Sequence, residues 1–278
     1  MNKYILHRHT YYKKSATITG ILLLSLLAAE KSFAWVPGGT GGNVNISGTI
    51  IPSEPKNPWE IQVGGVISGL DMTLPESGTQ VSLRLKQTLP ILGIRTTTGL
   101  DETFIGEPAG GIAPQITFSG LLPSAREKGR LPLELDVTRA NDSSHFLGIL
   151  RLNLLTGAEV SQRSISTGEG RRYSVYAGQA GEAFFGGLAT KPDDAVDDAL
   201  TQVGDVFPVY KSRYNDQGLP TISGTKQAVE FRNSAIQYSG FYGAGLVQGD
   251  EIIIRSDNGL PSTEENWKAN LKVTVAYL

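Results

Sequence analysis

Chemistry near neutral pH usually falls to histidine, to cysteine or to a pair of facing carboxylates. This sequence of 278 residues offers few of them. It has three histidines and no cysteine. Without cysteine there is no disulfide, no thiolate nucleophile, no Cys-ligated zinc and no iron–sulfur cluster. His145 follows the turn-like stretch Asn141-Asp142-Ser143-Ser144 and is expected to be exposed. No GxSxG elbow accompanies it, so a Ser-His-Asp triad has no visible nucleophile. The acidic pairs are Asp193-Asp194, Asp197-Asp198 and Glu264-Glu265. Adjacent carboxylates on a short element read as a solvated face or a helix cap rather than as an acid–base pair across a cleft. The turn Asp257-Asn258-Gly259 lacks the spacing of an EF-hand loop. The sequence therefore predicts no catalytic residue, no cofactor site and no metal site, and the chain reads as a non-enzyme.

The N-terminus predicts export. Lys3, Arg8, Lys13 and Lys14 precede an apolar run from Ala16 to Ala29, followed by Ser32-Phe33-Ala34. Basic, then apolar, then small residues is the order of a secretory signal. The run is 14 residues long, short of the roughly 20 that span a bilayer. Cleavage after Ala34 would start the mature chain at Trp35. It would also remove His7 and His9, leaving 20 basic residues against 26 acidic ones. A net charge of that sign opposes binding to nucleic acid.

The elements that must carry the remaining function are strands. Apolar and polar residues alternate over Val44–Ile50, Val81–Leu85, Leu131–Val137, Ile149–Leu154 and Trp267–Tyr277. Period two marks half-buried strands of antiparallel sheets. Turn residues stand between these runs, and the sequence carries 33 glycines and 14 prolines. Many short strands at this spacing predict an all-β fold, a β-sandwich. One stretch, about residues 161–219, breaks the rhythm and reads as an insertion between strands. Within it, Val196, Leu200 and Val203 have helical spacing, with a possible cap at Asp193 or Asp194, and a second short helix is predicted within Tyr173–Phe185. The insertion also carries Arg171, Arg172, Tyr173, Tyr176, Lys211, Arg213 and Tyr214. Aromatic platforms beside cations suit a glycan, through stacking and charge-assisted hydrogen bonds. These seven are the candidate receptor-binding residues.

The two ends of the mature chain carry a resemblance. The stretch Gly42-Asn-Val-Asn-Ile-Ser-Gly48-Thr-Ile is similar to the N-terminal donor strand of chaperone–usher fimbrial subunits. The final alternation, with Tyr277 next to last, resembles the segment such subunits offer to their periplasmic chaperone. The likeness is strongest to the FaeG-like family of fimbrial adhesin subunits. Leu89–Arg95, Gly111–Phe118, Ala183–Leu188 and Asn266–Leu278 carry it further along the chain. One departure is that Glu264 and Glu265 stand where general pilins have a glycine, about fourteen residues from the end.

The resemblance implies an immunoglobulin-like sandwich that lacks its last strand (residues 52–278), with an inserted subdomain that contains short helices and is the region where the family places receptor binding. It implies a donor strand within residues 35–51, with Val44, Ile46, Gly48 and Ile50 facing inward. It implies a chaperone-contacting strand with Leu271, Val273, Val275 and Tyr277. The partners it implies are a periplasmic chaperone, an outer-membrane usher and neighbouring subunits, with host glycans as the possible receptor. The destination is a fimbrium on the bacterial surface. Two other classes share an exported, strand-rich sequence: an outer-membrane β-barrel, whose strands would be longer, and a secreted carbohydrate-binding or carbohydrate-active protein.

Overall fold

The computed structural model describes residues 57–74, 78–97, 100–123 and 127–278. The signal peptide, the Ala34 cleavage point and the donor-strand residues Val44, Ile46, Gly48 and Ile50 lie outside them. The strands are, in order, β1 (Trp59–Val63), β2 (Gln80–Arg84), β3 (Leu89–Thr96), β4 (Phe104–Ile105), β5 (Pro114–Phe118), β6 (Arg130–Arg139), β7 (Phe146–Ser164) and β8 (Gly170–Val175). Two one-turn helices follow, α1 (Ala199–Gln202) and α2 (Pro208–Lys211). The chain then returns to strands β9 (Thr221–Gln227), β10 (Ile236–Leu246), β11 (Glu251–Arg255), β12 (Trp267–Ala269) and β13 (Val273–Tyr277).

The organising element is β7, which runs for 19 residues. Its first half pairs with β6 and β11, and its second half with β10 and β8. The main path runs β1-β3-β10-β7-β11-β2, and a separate two-stranded sheet joins β13 to β5. The path has two ends, so the fold is an open sandwich and not a closed barrel. Among the described residues no helix is long and apolar enough to cross a membrane. The even face of β7 predicted from sequence, Leu150, Leu152 and Leu154, is buried, opposite Leu135, Leu133 and Leu131 of β6. An aromatic cluster closes one end of the core. There Trp59 packs edge-on against Phe104 and Phe184, with ring centroids 5.1 and 5.5 Å apart.

Two predicted elements differ. The final alternation is two strands, not one. β12 pairs with β6, and after Asn270 the chain crosses to the other sheet, where β13 pairs with β5. The helical signal at 193–203 resolves into a 3-10 turn, Pro192–Asp194, followed by α1. The cap is Asp198, whose carboxylate accepts the Thr201 amide at 3.0 Å, rather than Asp193 or Asp194. The second helix lies at Pro208–Lys211. Residues 173–185, where it was expected, complete β8 and then form turns.

A row of glycines explains where the helices sit. Gly93, Gly243 and Gly157 are paired side by side across β3, β10 and β7. On the bare backbone they leave, a small second core forms from Leu155, Val196, Ala199, Val203, Phe207 and Tyr210. A Cβ on Gly93 would fall 2.0 Å from the Tyr210 ring, and one on Gly243 would fall 2.6 Å from Val203. The row is the socket into which the helical lobe plugs.

Candidate functional site

One edge of the main core is open among the described residues. Cross-strand partners share a face of a sheet. Ile61 and Val63 of β1 pair with Ile94 and Leu92, both fully buried. Ile61 and Val63 therefore point inward, yet they are 41% and 59% exposed. The chain after β1 does not cover them. Residues 65–74 belong to no strand, and their apolar side chains Ile67, Leu70, Met72 and Leu74 rest on the core only partly buried.

The opposite bank is β13. Val273, Val275 and Tyr277 pair with Phe118, Ile116 and Pro114, which are buried. They face the same core and are themselves only partly buried, as is Leu271. The far edge of β5 is closed, because the Ile116 amide donates to the Phe185 carbonyl at 2.7 Å. β13 has no second strand partner among the described residues. The two banks meet at one end. The side chain of Asn57 lies beside the Tyr277 hydroxyl, and Trp59 Nε1 donates to the Ile112 carbonyl at 2.7 Å. Next to this junction the Ala113 and Leu278 backbones exchange hydrogen bonds of 3.0 and 3.1 Å. The result is an apolar seam along one bank of which runs a strand edge with no strand partner among the described residues. Such an edge templates the addition of another strand.

This chain is similar to known fimbrial proteins over nearly its whole length. The sequence profile of the family described as fimbrial, major and minor subunit (K88 type) matches residues 13–278. The chain belongs to the K88-type fimbrial subunit family. It is 22% identical over 289 residues to the K88 fimbrial protein AB of Escherichia coli, covering 94% of this chain and 99% of that one. To the K88 fimbrial protein AC of the same organism it is 21% identical over 287 residues, again covering 94% and 99%. It is therefore a structural subunit of a surface fimbrium and associates with other fimbrial subunits, and its family is not an enzyme family.

The K88-type lobe holds a second feature, a cleft of about 640 Å³ beside α2. Three of the seven candidate receptor residues, Arg172, Lys211 and Tyr214, line it together with Glu102, Ser212, Asn215 and Asp216. The Tyr214 hydroxyl donates to Glu159 at 2.8 Å. Lys211 is paired with Asp205. Arg172 lies 3.6 Å from Glu159 and 3.9 Å from Asp216, and its Nε has no hydrogen-bond partner among the described residues. The other four candidates lie elsewhere. Tyr173 is in the core, with its hydroxyl donating to Gln162 at 2.9 Å. Arg213 pairs with Glu60 at 3.5 Å, Arg171 is exposed on β8, and Tyr176 is partly buried beyond its end.

Sequence reasoning did not single out Glu159. It is 1% exposed and stands between Phe241 and Ser174 on neighbouring strands. Burial pushes its carboxyl pKa above the usual range, although Tyr214 and Arg172 pull it back. It ties the sheet to the chain on either side of the cleft. The surrounding alternation does carry a signal: a glutamate sits among Gly157, Ala158 and Val160 in a run with no other charge.

Proposed function

We propose that the seam is a strand acceptor and that the chain polymerises by donor-strand exchange. The N-terminal extension of one copy fills the seam of the next, with Val44, Ile46 and Ile50 in its hollows and Gly48 at a shallow point. Before assembly a periplasmic chaperone occupies the seam along Leu271, Val273, Val275 and Tyr277, and an outer-membrane usher then exchanges one strand for the other. The observation that carries this reading is the pair of inward-facing side chains, Ile61 and Val63, left open while β13 has no second strand partner among the described residues. Burial supplies roughly 1.5–3 kcal/mol for each large apolar side chain, so three supply about 5–9 kcal/mol before any backbone hydrogen bond. Such contacts are head-to-tail and generate open filaments. The mature chain begins at Trp35 after export, and it performs no catalysis.

Gly48→Leu tests the reading. Export of the monomer should be unchanged and fibres should be absent from the cell surface. Normal fibres from this variant refute strand donation by residues 44–50.

A second reading, adhesion to host glycans, is favoured by the convergence of Arg172, Lys211 and Tyr214 on one cleft. The cleft mixes cations, carboxylates, an amide and hydroxyls, a set that can both donate to and accept from a polyol. Fibres carrying Lys211→Ala should assemble normally and lose glycan binding on an array. Unchanged binding removes the cleft from consideration.

A further inference from the structure

We infer that Asn258 is a self-modifying site: the Gly259 amide closes on the Asn258 side chain, ammonia is expelled, and hydrolysis leaves a mixture of isoaspartate and aspartate that loosens the end strand β2.

The pair of residues points to this chemistry. Asparagine is among the thermolabile residues. Its loss begins when the next backbone nitrogen attacks the side-chain amide, and glycine, which has no Cβ, hinders that approach least. Asn258-Gly259 is the only Asn-Gly pair in the chain. The structure leaves the pair free to react. Both residues are exposed in the turn that follows β11. The Asn258 side chain has no hydrogen-bond partner among the described residues. Other asparagines are held. The Asn233 side chain accepts the Ala235 amide at 2.9 Å, and Asn215 accepts from Gln217 at 2.7 Å while donating to the Asp101 carbonyl at 2.6 Å. The nucleophile itself is held weakly, since the Gly259 amide reaches the Ser256 carbonyl at 3.3 Å, beyond the usual range of such bonds. The space beside it is empty. Gly259 has φ +85°, and a Cβ placed there would meet nothing within 4 Å.

The reaction needs only water and hydroxide. The Gly259 nitrogen gives its proton to hydroxide and bonds to the side-chain carbonyl carbon of Asn258. The bond from that carbon to the amide nitrogen breaks, and ammonia leaves with a proton from water. Both reacting groups belong to one short segment, so the attack has the advantage of proximity. The resulting five-membered succinimide then takes up one water. Opening at its side-chain carbonyl gives aspartate. Opening at its main-chain carbonyl gives isoaspartate, in which the backbone runs through the side chain and is one carbon longer. In sum, one water is consumed and one ammonia released.

The position gives the change an effect. β2 is the end strand of the main path, and its strand partner is β11. Two further main-chain bonds clasp its start. The Ser256 amide donates to the Thr79 carbonyl at 2.8 Å, and the Leu260 amide to the Gly78 carbonyl at 3.3 Å. Asn258 lies midway between these two donors. An extra backbone carbon there shifts Leu260 relative to Ser256 and opens the clasp. The new carboxylate also stands next to Asp257, which Arg255 already pairs at 3.3 Å. The helical lobe, seated on the glycines of β3, β10 and β7, is not involved. A subunit in a surface fimbrium is outside the cell that made it, so the product accumulates with the age of the fibre.

The test is to age the purified chain at neutral and at mildly alkaline pH in heavy-oxygen water, then to digest it for mass spectrometry. The peptide containing Asn258 should gain about three daltons, because NH₂ is replaced by a heavy hydroxyl. It should separate into isoaspartate and aspartate forms and appear faster at alkaline pH. Peptides containing Asn141, Asn215 and Asn233 should lag by at least tenfold. Asn258→Gln should not change, since its ring would need six members. Hydrogen exchange of residues 80–84 should be at least threefold faster in the aged parent than in the fresh one. It should be unaltered by ageing in Asn258→Gln, and residues 199–211 should be unaltered in both. Equal rates at the four asparagines, or aspartate without isoaspartate, overturns the self-modifying site. Modification without faster exchange in residues 80–84 overturns its effect on β2.

Discussion

Val63 offers the cleanest separation of what the seam does empty from what it does filled. It points to the same side as the fully buried Leu92, but 59% of it is in contact with solvent. Replacing it with aspartate in the unassembled chain costs little. A carboxylate can stay hydrated there, and the change stays within the roughly 1 kcal/mol range of strand propensity. For a chain this size that is a shift of about 2–4 °C in Tm. Filling the seam changes the sign of the problem. Full burial of a valine gives about 1.5–3 kcal/mol, of which roughly half is unrealised at this exposure. The variant forfeits that part and must also strip water from a carboxylate, about 1–3 kcal/mol or more. The sum, about 2–5 kcal/mol, is roughly a 30- to 4000-fold loss of affinity. The assay is titration of a synthetic 43–51 peptide into the chain starting at Pro52, with Thr274→Asp on the solvent side of β13 as control. Thr274→Asp should bind almost as tightly as the parent. Equal affinity for Val63→Asp and the parent refutes the placement of the donor along this edge. A fall of more than about 10 °C in the melting temperature of the empty chain refutes the premise that Val63 is uncovered.

Three further outcomes follow from the lobe. Gly93→Ala should lower Tm by several degrees in calorimetry, because its Cβ would lie 2.0–2.5 Å from the Tyr210 ring and unseat α2. An unchanged Tm would mean the glycine row is not the socket. Tyr210→Phe should be neutral or stabilising by up to about 1 kcal/mol in urea denaturation, since its buried hydroxyl has no partner among the described residues and its pKa is pushed up to about 12. A loss of 2 kcal/mol would show that the hydroxyl is satisfied. Glu159→Gln tests a raised carboxyl pKa. A folded-state pKa above the unfolded value means that ionisation opposes folding, so this glutamate destabilises the chain above its folded pKa and less as pH falls towards the unfolded value. The stability of the variant relative to the parent should therefore be most favourable at pH 7 and decline on acidification. The opposite slope would mean that Arg172 and Tyr214 outweigh desolvation.

Alternation made β2, β6 and the first half of β7 legible, because one face of each is buried and period two records that directly. It could not show the break at Asn270–Lys272. The apolar face continues through it while the chain changes sheets, and only pairing partners reveal the crossing. The spacing of Val196, Leu200 and Val203 predicted a longer helix than exists: only Ala199–Gln202 is helical, and so short a helix depends on the contacts of Val196, Ala199 and Val203 with the places of Gly157 and Gly243. That dependence lives in strand register, which no local window contains. The same holds at the cleft. Arg172, Lys211 and Tyr214 could be picked by type, whereas Tyr173, one residue from Arg172, points to the other face of β8 and is spent on the core. Glu159 escaped notice because its meaning comes from Tyr214, more than fifty residues away.

The junction of Asn57 with Tyr277 has a mechanical consequence. In a fibre built by strand donation, pull enters each subunit through the strand held along β13 and leaves through its own extension at Asn57. These two points adjoin. Force in such a fibre would cross a subunit through β13, β5 and the Trp59 contact, with most of β7 and the whole helical lobe beside that line. The lobe would thereby be shielded from tension. A cleft placed on it can keep its shape while the filament that carries it is stretched.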